Sequence, residues 1–282
     1  MLRICRHADA RAFLECAEAW LLRSEERYGL LLGVASQVLN GAHRYRQPIY
    51  WATVEEGTAA GAAAVVACVF RTPPHQVGVT ELPDAAVEPL VVSLRETYLS
   101  LPGVAGPERA ATALATAWTA RLGGRWQMAQ RQRLHSLSAV TFPATPAPGT
   151  LRLALAADVP VARAWMAGFI RDARARYLSA DTAERLIEER RLYFWVDGEP
   201  RCMVGALRDT PNTTGVAAVY TPPPFRGRGY ASAAVATLSQ RLLDSGRRSC
   251  FLYSDLANTT STALYRRIGY EPVDDVVDIA II

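Results

Sequence analysis

The sequence predicts an α/β protein made of two pieces of similar size, each folded around a mixed sheet. Three observations lead there. Residues 142–150 place three prolines and a glycine within nine positions, which neither a helix nor a central strand tolerates. On the C-terminal side of this break, strand-like and helix-like runs alternate with turn residues between them. On the N-terminal side a worn version of the same alternation recurs, so each piece has about 130–140 residues, an ordinary domain size.

In the C-terminal piece, 151–154 reads as a strand, and Asp158 is placed to cap a helix running to 173. An Arg/Glu-rich helix follows at about 180–190. Strands are expected at 192–196, 202–208 and 215–220, with Asp197-Gly198 and Pro211-Asn212 as turns. A helix runs from 229 to about 245, a strand covers 249–254, and a helix at 259–268 stops at Gly269. The last strand is 271–281. In the N-terminal piece, helices fit 10–27 and 31–40. Strands fit 50–54 and 62–70 about a turn at 55–57, and a short strand lies near 76–80. Helices close the piece at about 85–99 and 108–122. Ile49-Tyr50-Trp51 echoes Leu192-Tyr193-Phe194-Trp195, and Phe70-Arg71-Thr72-Pro73 echoes Leu207-Arg208-Asp209-Thr210-Pro211, as a duplication would leave. The expected division is 1–141, a Pro-rich linker at 142–149, and 150–282.

Composition narrows the chemistry. All 31 basic residues are arginine. Without lysine, Walker-type phosphate loops and pyridoxal or Schiff-base enzymes are excluded. Net charge is +4 with dispersed arginines, which does not indicate a nucleic-acid surface but suits a phosphate-rich small ligand. Five scattered cysteines (Cys5, Cys16, Cys68, Cys202, Cys250) and four scattered histidines (His7, His43, His75, His135) suit reduced thiols rather than a disulfide frame, and no metal centre is expected. No apolar run approaches the roughly 20 residues that cross a bilayer, and the start lacks a signal peptide's apolar segment. A cytoplasmic protein without membrane contact is expected.

Residues 219–231 carry the clearest chemistry. Pro222, Pro223 and Pro224 end a strand and hold the following loop extended. Gly227 and Gly229 remove side chains where the backbone turns and approaches a ligand. The helix that follows opens with N–H groups lacking intrahelical partners, and its dipole favours an anion. Arg226 and Arg228 add charge and planar donors. A pyrophosphate fits this setting. An ordinary tight turn with two solvent-facing arginines fits the glycines equally well. A dinucleotide fingerprint and a nucleophile elbow both fail on spacing.

Arg226-Gly227-Arg228-Gly229-Tyr230-Ala231 resembles the Gln/Arg-x-x-Gly-x-Gly/Ala signature of the GNAT acyltransferase superfamily. Asn258, Ser261, Leu264, Tyr265, Gly269 and Tyr270 resemble its second block. The resemblance covers about 150–282 well and the N-terminal half in outline. It implies two GNAT-like domains, each a mixed, largely antiparallel sheet flanked by helices, with the acyl-CoA site in the C-terminal one. By position it implies that the amides of Arg228, Gly229, Tyr230 and Ala231 hold the pyrophosphate of acetyl-CoA. Arg226 and Gly227 then open the loop, Val219 and Tyr220 bind the pantetheine arm through their backbone, and Asn258 bonds it near the start of its helix.

The same resemblance makes Tyr265 the general acid that protonates the leaving thiolate. By helix pattern alone, Tyr265 is a core aromatic beside Leu264 and Ile268. No base is evident. Asp255, Glu199 and an ordered water chain are the candidates, and Asp255 reads more readily as a strand-end or helix-capping carboxylate. The N-terminal half has no Arg-x-x-Gly-x-Ala equivalent, and Glu81 and Asp84 stand where phosphate would bind. It is expected to lack CoA and to wall the acceptor site or steady the catalytic half. Its aromatics Tyr45, Tyr50, Trp51, Trp118 and Trp126 read as core. The expected activity is transfer of an acetyl group to an amine on a small molecule, with 167–191 among the segments that choose it. The alternative is a non-catalytic acyl-CoA-binding or sensing protein.

Overall fold

The computed structural model describes residues 2–41, 45, 47–57, 63–175 and 178–282. His43, position 62 of an expected strand, and positions 176–177 of the acceptor-side segment lie outside the described residues. The chain forms two compact units, Met1–Arg133 with Asp274–Ile282, and Leu134–Val273.

The first unit begins with β1 (Leu2–His7), α1 (Ala10–Leu21) and α2 (Gly29–Leu39). Next come β2 (Tyr50–Gly57), β3 (Ala63–Arg71), β4 (Val77–Val79), α3 (Asp84–Arg95), β5 (Gly103–Pro107) and α4 (Glu108–Leu122). The first part of β6 (Trp126–Leu137) and most of β12 (Glu271–Ile281) complete it. Its strand order is β1-β2-β3-β4-β5-β12. Pairing is antiparallel except between β4 and β5. One core lies under α3 and α4, built on Tyr50, Leu90, Leu94, Leu114 and Trp118; a second, around Phe13, Leu21 and Trp51, lies under α1 and α2. Of the other expected core aromatics, Trp126 is partly buried and donates Nε1–H to Thr116.

The expected helix at 10–27 stops at Leu21 and continues as a 3-10 turn, Leu22–Ser24. The expected turn at 55–57 is strand, since Glu55, Glu56 and Gly57 pair with Val65, Ala64 and Ala63. β1, β5 and β6 were not anticipated. β1 is short, and β5 (Gly-Val-Ala-Gly-Pro) has almost no intrinsic strand preference.

The second unit takes the last residues of β6 and then β7 (Thr150–Leu153), α5 (Val159–Ala173), α6 (Thr182–Glu188) and β8 (Leu192–Asp197). It continues through β9 (Glu199–Asp209), β10 (Thr213–Tyr220), α7 (Tyr230–Asp244), β11 (Ser249–Asp255) and α8 (Thr259–Arg267). Its strand order is β6-β11-β10-β9-β8-β7, with β10 and β11 parallel and β7 to β10 antiparallel. Both units thus run the same plan. The sequence echoes fall on corresponding places, the starts of β2 and β8 and the ends of β3 and β9.

Two expectations about boundaries change. Residues 142–149 are not a free linker: Ala147 packs on the core beneath α7, and the Pro148 carbonyl accepts from Trp195 Nε1 at 2.8 Å. The break between units falls at 133/134, and Asp274–Ile282 belongs with the first unit, because that part of β12 pairs with β5 from Val276↔Pro107 to Ala280↔Gly103. Asp158 does not cap α5. It accepts from the Leu155 N–H and takes a two-pronged bond from Arg152 at 2.6 and 2.8 Å.

α7 reads as a helix because its apolar positions cluster on one side, and it buries Ala233, Ala234, Val235, Ala236, Leu238 and Ser239. Those small side chains let it lie close over β8, β9 and β10. Its partner core includes Val216, Leu252, Tyr265 and Tyr270, with Ser239 and Tyr270 hydroxyls 2.8 Å apart. On the opposite face of the sheet, α5 and α6 cover Phe194, Met203, Leu207, Ala218 and Tyr220.

Candidate active site

β10 and β11 pair only at Thr213↔Ser249, Thr214↔Cys250 and Gly215↔Phe251, and beyond that they part. From Val216 onward β10 keeps β9 on one side and has no β11 partner on the other, which leaves backbone donors and acceptors open along a slot. Opposite β9 the register jumps between Ala217↔Gly205 and Tyr220↔Met203, so β10 carries a bulge. Ala218 within it has φ +54, a left-handed conformation rare for alanine. A narrow cleft occupies the parting. Phe169, Leu207, Arg208, the backbone run from Gly215 to Val219, Phe251, Leu252, Tyr253 and Tyr265 line it.

The end of β10 leads into the Pro222 turn and a 3-10 turn at Pro223–Phe225, then into α7. Gly227 and Gly229 have φ +78 and +79, and Gly229 is the residue from which α7 starts. No side chain caps that helix. Its first intrahelical bond is Ala233 N–H to the Gly229 carbonyl, so the donors before it face outward, as an anion site requires. Tyr230 is buried and its hydroxyl donates to Asp197 at 2.7 Å, which fixes the start of the helix and raises the phenol's pKa.

The two loop arginines differ. Arg226 is engaged: Nη2 meets Asp172 of α5 at 2.7 Å and Nε donates to the Thr221 carbonyl at 2.9 Å. Chiefly through that hydrogen bond, Arg226 holds the Asp172 carboxyl below its usual range. Arg228 is exposed, with no hydrogen bond or ion pair among the described residues.

Asn258 is the N-cap of α8. Its side-chain oxygen accepts from Ser261 N–H at 3.0 Å, which leaves its amide N–H₂ for a ligand. Tyr265, on the same helix, is 8% exposed and forms part of the cleft wall. Its ring packs against His135 and Tyr270 at 6.2 and 6.0 Å between centroids. It is therefore both a core aromatic and a cleft residue. Behind it, His135 Nε2 lies 3.0 Å from the Ser254 hydroxyl, which is 3.4 Å from that of Thr262. Neither base candidate lines the cleft. Asp255 accepts from Ala257 N–H at 2.8 Å as a turn carboxylate, and Glu199 pairs with Arg201 in the β8–β9 hairpin. Among the described residues no group of three or more His, Cys, Asp or Glu is arranged to hold a metal.

Comparison with known proteins agrees with this geometry. Residues 196–277, from the end of β8 into β12, match the family model of FR47-like proteins. The chain is similar in structure to a GCN5-related N-acetyltransferase from Kribbella flavida, with 19% identity, TM-score 0.57, and 88% of this chain and 94% of that one covered. The fold is that of GNAT N-acetyltransferases. A tandem GNAT protein from the clavulanic acid biosynthesis pathway aligns over 100% of this chain and 98% of its own, at 13% identity and TM-score 0.57. A Drosophila protein aligns over 100% and 98%, at 16% identity and TM-score 0.71. No curated protein matches the sequence.

Within this GNAT fold, several site features carried no sequence signal. The bulge at Ala218 uses alanine where glycine would have announced it. Asp172, Phe169 and Arg208 come from elements with no motif, and only the folded strands bring them to the loop or the cleft. The first unit is built differently at the corresponding place. β4 pairs with β5 at Val77↔Val104 and Gly78↔Ala105, and a side chain at Gly106 would collide with the Val79 carbonyl, so the strands stay together. Past β4, Glu81 takes Arg27 and the Tyr28 hydroxyl, each at 2.9 Å, and α3 starts at an aspartate.

Proposed function

We propose that the second unit is an N-acyltransferase that moves an acetyl group from acetyl-CoA to an amine on a small molecule by direct attack on the thioester. The parting of β10 from β11, with the open end of α7 at one extremity and Tyr265 in its wall, is the observation that carries this. The first amides of α7, with Gly227, Arg228, Gly229, Tyr230 and Ala231, hold the pyrophosphate, and Arg226 adds charge beside them. Open backbone groups of Val219 and Tyr220 extend pairing to the pantetheine amides in place of β11, and Asn258 donates from the far side.

In the reaction, the amine nitrogen attacks the thioester carbonyl carbon. A C–N bond forms, the C–S bond breaks, the amine gives up a proton and the sulfur gains one. A backbone N–H of the bulge after Ala218 stabilises the oxyanion, and the Tyr265 hydroxyl supplies the proton to sulfur. Among the described residues no carboxylate lines the cleft, so the amine loses its proton through water. The first unit binds no CoA, so each chain has one cofactor site. The paired β4 and β5 and the acids after β4 support this. No helix among the described residues is long and apolar enough to cross a membrane. We place the enzyme in the cytoplasm, acting on neither nucleic acid nor membrane.

Saturating acetyl-CoA should raise the melting temperature by mass action, and thiol release should follow with some member of an amine panel. No thermal shift refutes the reading. The missing carboxylate also favours a second reading, a non-catalytic acyl-CoA sensor, for which a thermal shift without thiol release would speak.

A further inference from the structure

The Arg226 guanidinium occupies a cation site. Its Nη2 meets Asp172 Oδ2 at 2.7 Å, its Nε donates to the Thr221 carbonyl at 2.9 Å, and its central carbon lies 5.8 Å from the centre of the Tyr220 ring. A carboxylate, a carbonyl oxygen and an aromatic face thus converge on one point, and each of the three favours positive charge. The ring is firmly placed. Tyr220 is 8% exposed, and its hydroxyl sits over Gly168, where a side chain on the helix would collide with it. Trp165 lies beside the ring at 6.4 Å between centroids.

The same face of α5 leads into the cleft. Trp165, Gly168, Phe169 and Asp172 follow at three- and four-residue spacing, which puts them on one stripe of the helix. Phe169 lines the cleft one turn before Asp172. From Ala218, in the bulge, to Thr221 is three residues of chain, so the cation site stands within roughly 10 Å of the bulge along the strand.

Arg226 holds this place weakly. An exposed ion pair contributes little, whereas a guanidinium on a pyrophosphate makes paired charge-assisted bonds. On the reading above, bound CoA draws Arg226 to its pyrophosphate and leaves the site to another cation. Arg171 Nε meets the other Asp172 oxygen, Oδ1, at 3.1 Å, so Oδ2 is the oxygen set free.

We propose that Asp172, with the Tyr220 ring and the Thr221 carbonyl, reads a second cationic group on the acceptor. The acceptor is a diamine whose near nitrogen reacts at the bulge and whose far nitrogen takes the place of the Arg226 guanidinium. This rests on the acyltransferase reading and names its acceptor class. Donor and acceptor then bind in order, because CoA clears the site that the acceptor fills.

Thiol release by the full chain with acetyl-CoA tests this on heptylamine, the α,ω-diamine of heptane and the α,ω-diamine of propane. The long diamine should exceed the other two by roughly 5- to 30-fold in kcat/KM, as an exposed ion pair over an aromatic face provides. Asp172→Asn should erase that preference through KM, and Asp172→Glu should keep part of it. A merely structural role for Asp172 would lower all three amines alike. Calorimetric titration with the long diamine adds a readout without turnover. Binding should be weak to the free chain, tighter with CoA bound, and tighter in Arg226→Ala without CoA. Equal turnover of the long diamine and heptylamine, a preference that survives Asp172→Asn, or diamine binding indifferent to CoA overturns the proposal and leaves acyl transfer standing. Absence of CoA binding, or of thiol release with every amine, removes both together.

Discussion

Gly229→Ala separates what the phosphate loop does for folding from what it does for binding. Gly229 sits at φ +79 and ψ −1, so alanine there pays the left-handed penalty of about 1–2 kcal/mol. Nothing further opposes it, since the added methyl would lie 3.6 Å from the Ala147 Cβ, an ordinary contact. For a chain of this size about 1 kcal/mol lowers the melting temperature by roughly 2–4 °C. The methyl also stands at the mouth of α7, where the outward amides meet the pyrophosphate. Displacing the anion from one such amide costs a charge-assisted hydrogen bond, roughly 10- to 150-fold in affinity. Gly246→Ala is the control. It lies just past the other end of α7 at φ +97 with nothing within 4 Å of the added atom, so it carries the same strain away from any ligand. Calorimetric titration with CoA and melting curves on the three proteins give the comparison. Similar small losses of stability with CoA affinity lost only in Gly229→Ala is the expected pattern. Wild-type affinity in Gly229→Ala would show that the pyrophosphate binds elsewhere.

Three further outcomes follow from named contacts. Tyr265→Phe should lower kcat by roughly 100-fold, the usual contribution of a positioned acid, and leave CoA affinity intact; an unchanged kcat removes the hydroxyl from the chemistry. Asp172→Asn releases Arg226 from its 2.7 Å partner, so CoA should bind a few-fold tighter, with less than about 1 kcal/mol lost from this exposed pair; equal or weaker CoA binding refutes the competition. In the first unit, burial pushes the Glu55 carboxyl up, but hydrogen bonds from Arg3, Cys5, Thr53 and Cys16 outweigh it and bring its pKa from 4.5 to about 2. A depressed carboxyl stabilises above its unfolded pKa and loses that contribution as pH falls through the folded value. Wild type should therefore lose about 1–3 kcal/mol between pH 5 and 2 that Glu55→Gln does not, and parallel urea-unfolding curves across that window would contradict it.

The loop and second block were legible because both are local: Gly227, Gly229 and Asn258 act through their own backbone or cap, within a few residues of sequence. The second unit's helices and strands were legible for the same reason, their periodicity being read within each element. What escaped depends on distant partners. Arg226 looked like a phosphate ligand, yet Asp172, 54 positions earlier, shares its guanidinium. Asp158 looked like a helix cap until Arg152 claimed it. Residues 142–149 looked like a hinge because prolines exclude regular structure, but irregular backbone can still be docked, as the Trp195 bond to Pro148 shows. β5 and β12 find each other across 169 to 177 positions, so neither the placement of the last strand nor the strand character of Gly103–Pro107 could be read locally.

Side-chain size differs at corresponding places of the two units, and the difference bears on the parting beside β10. β4 and β10 are corresponding strands, each with a parallel neighbour. Beside β4, the neighbour β5 offers Gly103 and Gly106, and the absence of a side chain at Gly106 lets its backbone reach the Val79 carbonyl. Beside β10, the neighbour β11 offers Phe251, Leu252 and Tyr253 just where pairing stops. These line the cleft, and Tyr265 joins them. Backbone groups released by the parting are costly unless something pairs with them. An extended amide-bearing arm is what a parted parallel strand can pair with. On the proposed reading, the pantetheine arm is what completes this half of the sheet.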